Sequence, residues 1–359
     1  MIAKFFHLTP MEHRGFRLSD FFRISWIRIS GFLLLFFFVS TLEVRSADWI
    51  RAGLTTNEPV WGLQSGLQFA LHPFGFHRGK NGPRGLIRVG YPVLEKGGYS
   101  LINYIAVEPI VNGKKGYSEL ERSKLDGDPG KRFWLDDTPK SKGILNPGKI
   151  SKLGGGVEQL DVIVRVEKFD NGAHVFLTLS QRSDAPDELQ LTIHSENDSA
   201  PMEFCILTAT MGNFARLRQL WLKDKVVSSR ELYPDYRGVE FAPATHFPLE
   251  QLRRTADGDV VLAATTDEKN PAVIFPLGDS RRWFYDGEKV TQYWKKKKGT
   301  YRETLEGVAN ARYTYWKSRQ SIPGGIAFEN IEMCEFFYSG QQFIFGITRQ
   351  TPMEMKLAK

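Results

Sequence analysis

Cysteine is scarce in this chain, and its scarcity excludes two kinds of protein. The 359 residues include only Cys205 and Cys334, so the disulfide framework of a small secreted scaffold is absent. No Cys/His spacing suits a zinc site, and we expect no cofactor. Both cysteines lie in apolar runs, EFCILTAT and IEMCEFF. Either one disulfide or two buried free thiols fits this setting.

Motifs that fix a reaction are also missing. The chain has no GxSxG, P-loop, GxGxxG or HExxH motif, which removes several hydrolase and nucleotide-binding classes from consideration. The charge excess is small too. Residues 1–46 carry six Lys/Arg and three Asp/Glu, so the formal charge of +7 becomes +4 without them. Nucleic-acid binding needs a concentrated basic face, so we expect no nucleic acid among the partners.

A short apolar core lies near the start of the chain, at residues 31–39 (GFLLLFFFV). Four arginines precede it: Arg14, Arg17, Arg23 and Arg28. This pattern is typical of a secretory signal peptide, and Val44 and Ser46 suit positions −3 and −1 of a cleavage site before Ala47. We predict a signal peptide at 1–46, a secreted or periplasmic protein, and no stable membrane span after cleavage. An uncleaved anchor is the alternative.

After Ala47, period-two alternation fits the sequence better than helical periodicity nearly everywhere. In VIVRVEKF (162–169) and HVFLTLSQ (174–181), the apolar residues share one face, and Asn171-Gly172 between them predicts a type I′ hairpin. The other predicted strands are 65–72, 85–91, 99–108, 188–195, 202–212, 216–222, 259–266, 271–275, 289–294, 311–317, 326–336 and 341–349. One short helix is predicted near 248–254.

This strand count, without a βαβ rhythm, predicts an all-β fold: a large antiparallel β-sandwich. We expect one domain over 47–359 rather than two. The stretch at about 112–156 is rich in Gly, Lys, Pro and Ser. Its aromatic residues predict a long ordered excursion instead of a linker.

Alternation also assigns side chains to the two faces of a strand. In the first predicted strands, the parity opposite the apolar residues is occupied by His72, Arg88, Tyr104 and Glu108. Such a face could bind a sugar, since a ring stacks on C–H groups, a guanidinium holds acidic substituents, and His72 or Glu108 moves protons. We predict His72, Glu108 and Tyr104 as catalytic residues, with Arg88 and Asn103 binding substrate. A solvated sheet face with an Arg88–Glu108 pair is the alternative.

Two later strands carry further charge. Arg216 and Arg218 share one face of TMGNFARLRQLWL (210–222), where paired guanidiniums suit a uronate carboxylate or a sulfate, or equally structural ion pairs. We include both among the substrate-binding residues. In GIAFENIEMCEFF (325–337), Glu332 lies opposite Glu329 and Glu335, which predicts a strand near an edge or a cleft mouth.

The excursion carries two pairs of carboxylates. Glu119 and Glu121 in YSELER fall on the same side of an extended segment, where they could act on a glycosidic bond or form an ordinary charged loop edge. Asp126 and Asp128 in LDGDPGK offer hard oxygen ligands for calcium without a full EF-hand pattern. A simple turn is the alternative.

Four phrases carry a resemblance to a family: GPRGLIRVGYP (82–92), LINYIAVEP (101–109), ATMGNFARLRQLWL (209–222) and GIAFENIEM (325–333). They resemble uncharacterised secreted bacterial β-sandwich proteins, and this resemblance implies no activity. The chain length and strand count also resemble the galactose-mutarotase-like supersandwich of carbohydrate-active enzymes, including polysaccharide lyases. No catalytic motif of those families matches here residue by residue, and a fold does not determine a function.

Together these patterns suggest a secreted protein that binds a polysaccharide, including an acidic one, and cleaves it by hydrolysis or a lyase reaction. Oligosaccharides are equally suitable ligands. The first alternative is a non-catalytic cell-surface or matrix binding protein. A protein-binding sandwich is the second alternative, and it predicts a large exposed apolar patch.

Overall fold

Strands make up nearly all the regular structure of the chain. The computed structural model describes residues 47–76, 82–93, 98–135, 145–211, 216–266, 273–276, 282–285, 288–315 and 319–357. The predicted signal peptide lies outside the described residues. Within the described ranges, no helix is both long and apolar enough to cross a membrane.

The strands in chain order are β1 (Trp49–Ile50), β2 (Val60–Leu63), β3 (Gln68–Ala70), β4 (Leu86–Pro92), β5 (Tyr99–Val111), β6 (Lys114–Lys115), β7 (Phe133–Trp134), β8 (Lys149–Lys152), β9 (Glu158–Val166), β10 (Val175–Arg182), β11 (Glu188–Ser195), β12 (Phe204–Met211), β13 (Gln219–Trp221), β14 (Val226–Ser228), β15 (Thr245–Pro248), β16 (Arg253–Arg254), β17 (Val260–Thr265), β18 (Val273–Pro276), β19 (Arg282–Tyr285), β20 (Thr291–Lys296), β21 (Glu306–Arg312), β22 (Ala327–Cys334) and β23 (Gln341–Thr348). Helical structure in the same ranges consists of α1 (Ser229–Leu232) and the 3-10 turns Gly154–Gly156 and Leu249–Gln251.

Two large sheets account for most of these strands in the described part of the chain. Sheet I has ten strands, in the order β1-β2-β3-β4-β5-β12-β22-β21-β15, with β6 beside β5. Sheet II has eleven, in the order β14-β13-β17-β20-β23-β11-β10-β9-β7, with β16 beside β17 and β8 beside β9. The paired strands run antiparallel. The predicted all-β antiparallel sandwich in one domain is therefore confirmed.

The hydrophobic core lies between the inner faces of the two sheets. Ile87 and Ile105 of sheet I and Val164, Leu177 and Phe345 of sheet II are fully buried members of one apolar cluster. Alternation explains this arrangement, because every second residue of a strand turns to the same face. Each buried aliphatic or aromatic side chain contributes roughly 1.5–3 kcal/mol to folding, so the core fixes which face each strand turns inward.

A β-bulge changes the assignment of faces at the start of β5. Alternation placed Leu101 on the inner face with Ile105. The register between β4 and β5 instead shifts between Val89 and Gly90, and an extra residue at a bulge reverses the alternation beyond it. As a result Ile102 enters the core and Leu101 packs with an outer cluster that includes Tyr104. The bulge therefore places Leu101 on the outer face, where strict alternation from Ile105 would place it inside.

The predicted type I′ hairpin at Asn171-Gly172 is also wrong. A type I′ turn needs positive φ at both central residues, and only Gly172 has it, at +92°. The Asn171 side chain donates to the carbonyls of Pro109 and Lys114, at 2.9 Å each, which ties this loop to the end of β5. The longer loop therefore serves a tertiary contact that local sequence does not encode.

Other elements differ from prediction in length. The helix expected near 248–254 is reduced to the 3-10 turn Leu249–Gln251, and the strand expected at 311–317 ends at Arg312. Short edge strands such as β1 and β14 were not predicted, because two or three residues show no periodicity. Cys205 and Cys334 are free and buried, so the open choice between a disulfide and free thiols resolves to free thiols.

Candidate functional site

Three of the four predicted site residues lie on the outer face of sheet I, as alternation required. Arg88 on β4 pairs directly with Tyr104 on β5, and Glu108 follows on the same parity of β5. Tyr104 and Glu108 are four residues apart, about 13 Å at roughly 3.3 Å per residue. The outer face therefore holds two neighbouring groups of polar side chains instead of one.

Arg88 serves mainly as a clamp on the backbone. Its guanidinium donates to the carbonyl oxygens of Phe74 at 2.5 Å and Pro83 at 2.6 Å, and the side chain is 1% exposed. Burial lowers the pKa of Arg88 from its ordinary value. Its forked donors hold the ends of the loop between β3 and β4, which leaves little of the fork for a substrate carboxylate.

His72 lines a cavity of about 220 Å³ that we call the His72 cavity, with Arg84, Asp126, Asp128 and Phe133 among its walls. Arg84 holds both aspartates, with nitrogen–oxygen distances of 3.1 Å to Asp126 and 3.0 Å to Asp128. The oxygens considered for calcium therefore face a guanidinium. Burial, and then the charges of Arg88 and Arg84, lower the pKa of His72. Its imidazole is neutral at neutral pH and can accept a proton.

Tyr104 lies between these charges and a small apolar cluster. It packs against Val60, Phe76 and Leu101. Burial raises its pKa, while Arg88 opposes that rise. The phenol therefore stays protonated at neutral pH, and it can serve as a hydrogen-bond donor or as a stacking surface.

Glu108 is the centre of a second group, four residues further along β5. Lys115 on β6 places its Nζ 2.6 Å from Glu108 Oε2, and the Thr208 hydroxyl on β12 donates to the same oxygen. Glu108 and Thr208 are each 5% exposed. Burial alone lowers the pKa of Lys115, but the Glu108 carboxylate outweighs it, so that pKa is raised. The Glu108 carboxyl is therefore contacted by an ammonium and a hydroxyl.

Two further carboxyls adjoin Glu108, and with Lys115 and Thr208 they make up what we call the Glu108 cluster. Burial, and then the Glu108 charge, raise the pKa of Glu119 to about 7 and that of Glu332 to about 7. One oxygen of each, Oε2, is buried without a hydrogen-bond partner. The raised pKa values leave Glu119 and Glu332 partly protonated near neutral pH.

Ser118 positions the loop that supplies Glu119. Its hydroxyl donates to the Gly85 carbonyl at 2.6 Å and accepts the Val107 N–H at 2.9 Å, so the loop continues the sheet just before β4 begins. Gly85 has φ +72°, and a Cβ there would lie 1.9 Å from the backbone carbonyl oxygen of Ser118, which makes glycine obligatory. Gly85 also lines the His72 cavity. Ser118 contacts Gly85 and directly precedes Glu119 in the chain, so this one residue links the cavity wall to Glu119.

The partner carboxylate suggested for Glu119 has a different role. Glu121 accepts N–H groups from Tyr117 at 3.1 Å and Asp170 at 2.9 Å, and it pairs with the buried Lys131 at 3.0 Å. Residues 118–120 form a turn instead of an extended segment. Glu121 therefore fastens the loop, while Glu119 approaches Glu108.

The remaining predicted site residues lie elsewhere. Asn103 is fully buried on the inner face of sheet I and donates to Gln292 of sheet II at 3.1 Å. Arg218 is fully buried and donates to the carbonyls of Pro323 and Gly325. Arg216 is 3% exposed, next to Leu217, which bridges to β22. None of these three adjoins the Glu108 cluster through a described contact.

Sequence reasoning missed Lys115 and Thr208 as site residues, and it did not group Glu332 with Glu108. One local signal was available for Lys115. Asn112-Gly113 follows the apolar strand β5 and forms a hairpin turn, with φ of 50° and 69°, which folds β6 back along β5. Thr208 and Glu332 had no local signal, because their position depends on β12 and β22 lying next to β5 in the sheet.

A second cavity, of about 500 Å³, lies where β20 ends and β23 begins. Its walls include Tyr301, Arg302, Tyr338 and Gln342, and we call it the Tyr301 cavity. Arg302 stacks over the Tyr338 ring, 4.9 Å from the centroid. Two tyrosine rings with a guanidinium and an amide can contact both the apolar and the hydroxyl faces of a sugar.

The described residues hold no group of three or more His, Cys, Asp or Glu side chains placed to bind a metal ion.

No family model matches the chain, and no curated protein matches it. Among solved structures, the chain is similar to the crystal structure of a GalM/aldose epimerase homologue from C. elegans. The identity is 10%, the match covers 80% of this chain and 97% of that chain, and the TM-score is 0.27. A likeness at this TM-score carries no argument about function, which must come from the residues described above.

Proposed function

We propose that this chain is an exported carbohydrate-active protein that binds a polysaccharide and transfers protons on it through the Glu108 cluster. The observation that supports the proposal most is the ratio of charges in that cluster: three carboxyls adjoin one ammonium, and two of them have a pKa of about 7. A carboxyl with such a pKa can both give and take a proton at neutral pH. Groups tuned in this way concentrate at functional sites.

The chemistry divides the three carboxyls into two roles. Lys115 and Thr208 contact Glu108, while burial, and then the Glu108 charge, keep Glu119 and Glu332 partly protonated. In a hydrolase, a protonated carboxyl gives its proton to the leaving glycosidic oxygen while a carboxylate acts on the other side of the bond. In a lyase, a carboxylate removes a proton from the carbon next to a uronate carboxyl. Both reactions need one protonated and one ionised group.

The His72 cavity gives a substrate an adjacent place to bind. Its walls include the cations Arg84 and Lys131 and the carboxylates Asp126 and Asp128. The carboxylate of an acidic sugar could replace Asp126 and Asp128 as the partner of the Arg84 guanidinium, since carboxylates compete for the same forked donors. Neutral His72 would supply a further proton acceptor. This role keeps His72 within the site and leaves Arg88 as a structural clamp.

The test is enzymatic, with one matched control. Purified protein would be incubated with a panel of neutral and acidic polysaccharides, and new reducing ends and unsaturated uronides would be measured. We expect Glu119→Gln and Glu332→Gln each to lower the rate at least about 100-fold, the usual contribution of a general acid or base. Glu329→Gln is the control, because Glu329 lies on the same strand and burial raises its pKa to about 7 beside Arg312. Equal losses in all three variants, or no activity on any member, would contradict the proposal.

The Tyr301 cavity favours a second candidate function, a non-catalytic glycan-binding protein. Its tyrosines are half-buried and Arg302 is exposed, so a glycan could bind there without reaching the Glu108 cluster. Glycan-array binding that Tyr301→Ala abolishes, and that Glu119→Gln leaves intact, would support this candidate. The opposite pattern would support the enzyme.

A further inference from the structure

The first residue that the structure describes contacts a buried carboxylate. The backbone nitrogen of Ala47 donates to Glu158 Oε2 at 3.2 Å, and the indole N–H of Trp49 donates to the same oxygen at 2.9 Å. Glu158 is 8% exposed. Its backbone N–H is held by the Ser183 hydroxyl at 2.9 Å. The carboxylate is therefore fixed in place, with one oxygen turned to the nitrogen of Ala47.

Two independent observations coincide at this residue. Val44 and Ser46 mark the bond before Ala47 as a signal-peptide cleavage site, and the Glu158 contact concerns the nitrogen that cleavage would free. Hydrolysis of the Ser46–Ala47 bond adds one water molecule. Ser46 keeps the new carboxylate and leaves with the leader, and Ala47 keeps the nitrogen as an ammonium group. An amide donor to Glu158 thereby becomes a full positive charge.

We propose that the Ser46–Ala47 bond is a processing site and that the ammonium of the mature Ala47 forms an ion pair with Glu158. A hydrogen bond between two charged groups is roughly twice as strong as one between neutral groups, and burial weakens the screening by water. Ala47 also lines a cavity of about 660 Å³ beside Trp49, where the other ammonium protons can be hydrated.

The position of the ion pair explains what it would do. Ala47 precedes β1, a two-residue strand at the edge of sheet I that pairs only with β2 in the described sheet. Glu158 begins β9 of sheet II. So short an edge strand has little stability of its own. The ion pair would tie this edge to the opposite sheet, and the tie would reach full strength only after the leader is removed.

The experiment starts from the full chain, expressed with its leader in an export-competent bacterial host. Intact mass and amino-terminal sequencing of the exported product should show Ala47 as the first residue. Four products are then compared by denaturant unfolding: the native chain, Glu158→Gln, a chain with Gly-Ser inserted between Ser46 and Ala47, and the combination. In the inserted chain, Ala47 contributes an uncharged amide to Glu158.

We expect Glu158→Gln to raise the unfolding equilibrium constant about tenfold more in the native product than in the inserted one, as a charged hydrogen-bond partner implies. Glu167→Gln is the matched control. Glu167 is 4% exposed and accepts backbone N–H groups from Lys124 and Arg132, so its loss should have the same effect in both products. A product that retains the leader or begins at another residue would overturn the proposal. Equal losses for Glu158→Gln in both products would also overturn it.

Discussion

Two regions of this molecule differ in the ratio of cations to carboxyl groups. Lys296 and Glu335 form an ion pair, each fully buried at its side chain, with one ammonium for one carboxylate. The Arg302 N–H, at 2.7 Å, satisfies the second oxygen of Glu335, and the Phe343 ring lies 4.2 Å from the ammonium. In the Glu108 cluster, one ammonium faces three carboxyls.

This difference distinguishes buried charged groups that only stabilise the fold from buried groups that can exchange protons. The Lys296–Glu335 pair has one cation for one carboxylate, and it joins β20 to the residue that follows β22. A cluster with surplus carboxyls must keep some of them protonated, because like charges at short range raise the pKa of their neighbours. Proton exchange near neutral pH is therefore expected of the Glu108 cluster and not of the Lys296–Glu335 pair.

The largest effect is expected from removing half of the balanced pair. Lys296→Met should lower the free energy of unfolding by about 3–5 kcal/mol, because Glu335 stays buried without its counter-charge. Denaturant unfolding measures this. The double variant Lys296→Met/Glu335→Gln should recover part of the loss, since no lone charge is left. A loss below about 1 kcal/mol for the single variant would show that the pair is hydrated.

The corresponding change in the cluster should have a smaller effect. Lys115→Met should lower the free energy of unfolding by about 1–2 kcal/mol, because the Lys115 side chain is 30% exposed and water screens part of its attraction to Glu108. The neighbouring Lys114 is exposed, and Lys114→Met is the matched control, with an expected change under about 0.5 kcal/mol. Equal effects in the two variants would mean that Lys115 does not hold the cluster together.

The pH dependence of stability separates the two regions further. The pKa of Glu119 and that of Glu332 are raised to about 7 in the folded chain, so their contribution is fully present below the unfolded value near 4.5. It is lost as pH rises from that value through 7. Replacing both by glutamine should make stability less dependent on pH between 5 and 8. Urea unfolding at pH 5 and pH 8 measures this difference. An unchanged dependence of stability on pH in the double variant would contradict the raised pKa values.

The smallest expected effect concerns His72. Its folded pKa is lowered, so its contribution is present above the unfolded value near 6.5 and is lost as pH falls below it. His72→Gln should remove this loss, which we expect to be under about 1 kcal/mol for a partly buried imidazole. Comparing the native and variant chains at pH 5 and 7.5 isolates it from the carboxyls, whose contribution changes in the opposite direction. A difference of the opposite sign would place a net negative charge beside His72.

Much of the sandwich follows from alternation alone. The runs at β9 to β12 show their buried faces directly, because each has three or four apolar residues of one parity. The bulge opposite Val89 could not be predicted, since it depends on how β4 and β5 fit together over the core. Its effect is local, and it moved Leu101 while leaving Tyr104 and Glu108 on the predicted face.

The candidate site was less accessible to sequence reasoning. Parity placed Arg88 and Glu108 on one face but said nothing about the distance between them along the strand. Thr208 and Glu332 are about 100 and 220 residues beyond Glu108 in the chain, and only the strand order of sheet I brings them together. Arg88 is a structural clamp because its guanidinium donates to backbone carbonyls. The carbonyl of Phe74 reaches Arg88 only through the folding of its loop, which the sequence pattern does not show.

The central claim is that Glu119 and Glu332 are each partly protonated near neutral pH, and an NMR titration tests it most directly. The side-chain carboxyl carbons of glutamate would be followed between pH 4 and 9, with resonances assigned by the glutamine variants. We predict midpoints near 7 for both residues, and a fall in both midpoints when Glu108 is replaced by glutamine. Midpoints near the ordinary value of 4.5 for both would contradict the account.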